Sequence, residues 1–218
     1  MEGLFSQVAA LGSSGVLLCG LILLWRRGVG AYITAFTWQS AVLAALTAAV
    51  GYFGADRQLY VVAVLLFLIK AVAIPRLLRR VAQRFTAGRE PAAYVNTGTS
   101  LVVSGLLVLL AYAAARPLEA ISDMPTRAGM PLAMGLLFVS LFVIISRRMA
   151  ITQVIGFLML ENAIALLAVL ATYGVPLIVE VGVFLDVLMG FLVMQIFLYD
   201  IHDTFSTTDV DVLKRLKH

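Results

Sequence analysis

The stretch "GFLMLENAIALLA", Gly156–Ala168, sets Glu161 and Asn162 in the middle of an otherwise apolar run. The run continues from Ala150 to Tyr173, between Arg147-Arg148 and Pro176. That is the length of one helix crossing a bilayer core, for which about 20 apolar residues suffice. The run therefore reads as a membrane span with a carboxylate near its centre. The rest of the chain has to explain why the carboxylate is there.

Composition agrees with a membrane setting. Hydrophobic residues make up 62% of the 218 and charged residues 13%, whereas a soluble domain is about half apolar and about one quarter charged. Seven apolar blocks can be drawn: Leu4–Trp25, Gly30–Phe53, Gln58–Pro75, Thr97–Ala115, Ala128–Ser146, Ala150–Tyr173 and Pro176–Tyr199. The expected class is an all-α polytopic membrane protein with seven transmembrane helices. A membrane sheet barrel would show alternating segments of about ten residues instead of continuous apolar runs. The first block has no basic residues before it and no small-residue cleavage site, so it is expected to be a retained span. The lone Cys19 excludes an internal disulfide and a multi-cysteine metal or iron–sulfur site.

Lys and Arg in the loops give an orientation. Twelve fall on one side: Arg26, Arg27, Arg76, Arg79, Arg80, Arg84, Arg89, Arg147, Arg148, Lys214, Arg215 and Lys217. Three, Arg57, Arg116 and Arg127, fall on the other, and Lys70 lies within a span. The N-terminus is then expected outside and the C-terminus in the cytoplasm. The net charge of +4 follows this topology and does not point to nucleic acid.

An internal repeat is also visible. Trp38–Tyr52 ("WQSAVLAALTAAVGY") can be laid on Leu160–Gly174 ("LENAIALLAVLATYG"), and Leu65–Pro75 on Val181–Phe191. Each half starts outside, so the repeat would be parallel, three spans plus a linking span plus three. The expected organisation is a three-helix unit over 1–95 with a basic segment at 76–90. A linking helix and outer loop follow over 96–127, then a second three-helix unit over 128–203 and a cytoplasmic tail over 204–218. In this register Gln39 or Ser40 falls where Glu161 falls, and Lys70 where Asp186 falls.

An ionisable group at a bilayer centre costs at least about 2.5–3.5 kcal/mol, so Glu161, Asp186 and Lys70 must face protein or water. Glu161 and Asp186 are expected near mid-depth and Lys70 closer to the cytoplasmic end. Asp186 has Gly182 and Gly190 four residues away on either side, which would admit a neighbouring helix closely. Two readings remain open for these groups: a proton path, or buried polar pairs that fix helix packing. Low dielectric favours a neutral carboxyl and a nearby ammonium favours the charged form, so such a group can load and unload protons. Asp186 is the first expected exchange partner for Glu161, and a partner subunit's lysine or glutamate the second. Glu180 near the outer end of the last span, Gln39 as an interhelical hydrogen bonder, and His202 in "YDIHD" complete the candidate ion path. A metal at His202 would want more ligands, and a solvated loop explains it as well.

Two further segments invite partners. "PRLLRRVAQRFTAGRE", Pro75–Glu90, puts Leu77, Val81 and Phe85 on one helical face and Arg76, Arg80 and Arg84 on another. It is either an interfacial helix or a positive anchor. Thr207–His218 reads as a short helix that would dock on a partner. No phosphate-binding glycine loop, nucleophile motif or dinucleotide fingerprint occurs, so no catalytic centre or cofactor is expected in this chain.

The last three spans resemble the K-type subunit of respiratory complex I and the C subunit of Mrp antiporters, a family with a glutamate in its second helix and another in its third. "GFLMLENAIALLA" carries the first at Glu161. Asp186, a shorter acid, is nearest to the second, with Glu180 competing. Nearly the whole chain resembles the component E family of hydrogenase-4, membrane subunits of complex-I-like [NiFe] hydrogenase and formate hydrogenlyase assemblies. "MLENAIALLA", "FLDVLMGFLV" and "IHDTF" carry that resemblance. It implies a non-catalytic subunit in the bacterial inner membrane, beside antiporter-like and complex-I-H-like membrane subunits and a hydrogenase peripheral arm, with [NiFe] and Fe–S clusters on those partners. Glu161 would belong to a central hydrophilic axis, extended by Asp186 and Lys70. The parallel repeat also resembles SWEET sugar transporters, but all six prolines fall at span ends or in loops and the buried groups are acids. A purely structural or assembly subunit is the other alternative.

Overall fold

The computed structural model describes residues 2–26, 28–85, 95–121 and 125–172. Helices account for nearly all of them, and no strand occurs among the described residues. Helix α1 spans Glu2–Trp25, α2 Val29–Phe53 and α3 Arg57–Leu66. A π-helical segment, Phe67–Ala73, joins α3 to α4, Ile74–Phe85, in one continuous rod. Then come α5, Thr97–Ile121, a 3-10 turn at Pro125–Gly129, α6, Met130–Ser146, and α7, Ala150–Thr172. Six stretches are long and apolar enough to cross a membrane: Gly3–Trp25, Val29–Phe53, Arg57–Arg80, Thr97–Pro117, Pro125–Ser146 and Ile151–Ala171. The seventh expected span, Pro176–Tyr199, lies outside the described residues.

Local chemistry sets the corners. Between α1 and α2 the chain passes through Gly28 at φ 103, a left-handed conformation that only glycine adopts without strain. The Asp56 carboxylate accepts from the Gln58 backbone N–H at 2.8 Å and caps α3. The Asn96 side chain accepts from Thr99 N–H at 2.8 Å and starts α5. The Thr126 hydroxyl donates to the Leu170 carbonyl at 2.5 Å, tying the 3-10 turn to the end of α7.

Helix α2 is the hub, packed against α1, α3, the π segment, α4 and α7, while α6 joins α5, α7 and α1. Gly20 is where four helices converge. A Cβ there would lie 2.8 Å from Leu136 Cδ1 and 3.2 Å from both Gln39 Nε2 and Met159 Cε. Close approach through small residues is how membrane helices gain packing without a hydrophobic driving force.

The structure corrects two sequence expectations. The third span does not end at Pro75, because the helix continues from the π segment through the proline into α4. The rod therefore reaches Phe85. Helix α5 continues through Pro117 to Ile121, past the expected end at Ala115. Helix α4 packs against α2; among the residues whose burial is described, Ile74, Pro75 and Leu78 are buried and Leu77 is half-buried. Arg76, Arg79 and Arg80 are exposed.

Candidate functional site

The rod and α7 both pack on α2, and the polar residues of the three elements meet there. Lys70 comes from the π segment and is 1% exposed. Its Nζ lies 2.9 Å from Glu161 Oε1 and donates to Asn162 Oδ1 at 3.1 Å. The Asn162 amide nitrogen donates in turn to Gln39 Oε1 at 3.2 Å and to Ser40 Oγ at 3.0 Å. Gln39 Nε2 completes the string by donating to the Val16 carbonyl of α1 at 3.3 Å. Glu161 and Asn162 are neighbours on α7, so about 100° of helix separates them and both can address the α2 side.

This arrangement explains how the membrane interior holds two charges. Each alone would be strongly unfavourable; as a close ion pair, with Lys70 also donating to Asn162, they compensate one another. Asn162 is fully used, with its oxygen on the lysine and its nitrogen shared between Gln39 and Ser40. Glu161 is not: both carboxylate oxygens are buried without a hydrogen-bond partner among the described residues, and Oε1 has only its close ion pair with Lys70. A carboxylate and an ammonium at 2.9 Å are within proton-transfer reach. The π segment places Lys70 in this geometry, and single π turns recur at functional sites.

Of the residues singled out from the sequence, Glu161, Lys70 and Gln39 come together here. Asp186, Glu180 and His202 lie outside the described residues. For Glu161 the described partner is Lys70, a cation from the first half of the chain. Sequence reasoning gave no role to Asn162, which links the pair to Gln39. Asn162 falls opposite Ser40 in the repeat register, which equates the two positions without predicting their contact. Sequence reasoning also left Arg147 among the loop cations. Arg147 is in fact 5% exposed, its guanidinium 5.3 Å from the centre of the Tyr32 ring. Such a cation–π contact compensates part of the lost hydration. No group of three or more His, Cys, Asp or Glu side chains among the described residues could hold a metal ion.

No family model matches the chain, and no solved structure does. Related sequences are nevertheless clear. "Uncharacterized protein Rv0085" of Mycobacterium tuberculosis is 36% identical over 214 residues, covering 98% of this chain and 97% of that protein. Hydrogenase-4 component E of Escherichia coli K12 is 25% identical over 182 residues, 84% of each chain. The protein of the same name from Shigella flexneri matches equally. The chain thus belongs to the same family as the M. tuberculosis protein and is a distant homologue of hydrogenase-4 component E.

Proposed function

We propose that this chain is a non-catalytic membrane subunit of a redox-driven, complex-I-like hydrogenase complex, with Glu161 on the path of the translocated proton or sodium ion. One observation carries the reading: a buried Lys70–Glu161 pair at 2.9 Å within the membrane-spanning core, in a homologue of hydrogenase-4 component E. Intramembrane acids and lysines are costly and serve as proton relays in pumps. Here the relay would begin at the pair and use the free Oε2 edge of Glu161, with Asp186, Glu180 and His202 as further stations and Gln39 holding Asn162 in place. [NiFe] and Fe–S chemistry would reside on partner chains: antiporter-like and complex-I-H-like membrane subunits and a peripheral hydrogenase arm. The setting would be the bacterial inner membrane, with seven spans, the N-terminus outside and the C-terminus cytoplasmic. The two halves would form a parallel repeat, and Gln39 and Ser40 of one meet Asn162 of the other.

A specific observation also favours a packing role. Asn162 is saturated and the ion pair is closed, as in a device that fixes helix register. The two readings separate in the assembled complex. With Glu161→Gln, the proton-path reading expects reduced pumping per turnover in membrane vesicles, followed by a pH-sensitive dye. Normal pumping at normal complex yield would sink the role of Glu161. Reduced yield with unchanged activity per complex would leave only the packing role. Co-purification tests the setting, and it should bring down a hydrogenase large subunit and an antiporter-like subunit.

A further inference from the structure

Away from the ion pair, the α1–α2 hairpin carries a second feature. Cys19, Ile22 and Arg26 recur at helical spacing on α1, and Gly30, Thr34 and Trp38 do so on α2. Residues three and four apart share a helix face, so the hairpin sets the two stripes side by side. They line a surface cleft of about 400 Å³, within the range of about 300–1,000 Å³ typical of ligand sites. The cleft is open at Gly30, where a Cβ would meet nothing within 4 Å. Thr34 adds little polarity, because its hydroxyl already donates to the Gly30 carbonyl at 2.9 Å.

The charge is at one end. Arg26 follows the last residue of α1, is exposed, and has no acidic partner among the described residues. Among the described residues it is the one charged side chain in the cleft wall. Trp38 lies eight residues beyond Gly30, about 12 Å further along the helix axis, and its ring is 65% exposed. The cleft therefore runs from a cation at the helix ends to an apolar, aromatic wall deeper in the span. That is the layout of a phospholipid, with phosphate at the mouth and acyl chain below.

We propose that this cleft is a binding site for an anionic phospholipid, its headgroup phosphate on Arg26 and one acyl chain along Ile22, Cys19 and Trp38. An exposed arginine at the membrane surface favours a net-negative headgroup over a zwitterionic one, whose own ammonium offsets the phosphate. The expected preference is about fivefold. The inference is independent of the redox reading.

The chain contains two tryptophans, Trp25 and Trp38, so Trp25→Phe leaves Trp38 as a single reporter inside the cleft. The full chain with that substitution is reconstituted in phosphatidylcholine vesicles containing a minor fraction of lipid brominated on its acyl chains. Brominated phosphatidylglycerol should quench Trp38 well beyond brominated phosphatidylcholine at the same fraction. Arg26→Gln should lower that ratio. Gly30→Phe, which fills the cleft without a backbone clash, should weaken quenching by the anionic lipid most. Equal quenching by the two lipids overturns the proposal, as does a ratio unchanged by Arg26→Gln. So does Trp38 shielded from both lipids, which would mean that a protein surface covers the cleft.

Discussion

Helices α5 and α7 are both apolar spans of more than twenty residues, and they meet opposite surroundings. Of the most apolar eighteen residues in each, 22% are buried in α5 and 61% in α7. Helix α5 turns Val102, Leu106, Leu109 and Leu110 outward and keeps its serines, Ser100 and Ser104, buried. Helix α7 carries Thr152, Glu161 and Asn162 with every one of them buried. Two spans alike in overall apolarity thus differ in what they can tolerate. The acid of α7 is admitted where protein is the neighbour. The carboxylate in "GFLMLENAIALLA" is an acid dissolved in protein.

The comparison can be broken at α7 first. Lys70→Ala would leave the Glu161 charge buried without its cation, and loss of one partner of such a pair costs about 3–5 kcal/mol. Thermal unfolding of the purified chain in detergent should show the largest drop for this variant. The double substitution Lys70→Met with Glu161→Met should recover much of it. If the double variant is no better than Lys70→Ala, the pair is not an electrostatic unit.

On α5 the expectation is reversed. Leu109→Arg places a charge on a face that is 67% exposed and should cost about 2.5–3.5 kcal/mol of insertion free energy. A membrane-insertion assay of the isolated span reads this directly. Efficient insertion of the arginine variant would mean that this face does not meet hydrocarbon.

Asn162→Leu tests the string beside the pair. It strands the buried Gln39 and Ser40 side chains and should cost about 1–3 kcal/mol. Adding Gln39→Leu should then cost less than the sum of the single changes, and strict additivity would show that the contact is energetically silent. The smallest effect belongs to Leu106→Val on the outward face of α5, expected within about 0.5 kcal/mol in the same unfolding measurement. A larger loss would mark that face as a protein interface.

Much of this was legible in the sequence, for identifiable reasons. The six described spans follow apolar blocks; most ends moved by three residues or fewer, and the larger shifts fall at Pro75 and Pro117, through which helix continues. Gln39 and Ser40 of α2 meet Asn162 of α7, and a repeat register, which only equates positions, does not by itself predict such a contact. The Lys70–Glu161 contact was not legible either, because helical spacing is local and the two residues are 91 apart in the chain. The contact of Arg147 with the Tyr32 ring was not legible for the same reason, because 115 residues of chain separate the two.

The rod deserves a last look through its buried positions. Val62, Leu66, Lys70, Ile74 and Leu78 are all nearly inaccessible, and they recur at a strict interval of four. An ordinary α-helix advances about 100° per residue, so an interval of four drifts about 40° at each step and about 160° over the five positions. A regular helix would carry Val62 and Leu78 to almost opposite sides. The π segment winds more residues into each turn and absorbs that drift. The same wall of α2 can then receive Leu66, the lysine and Leu78. The wide turn is therefore the phase correction that lets one helix both deliver a charge to the interior and seat its basic end.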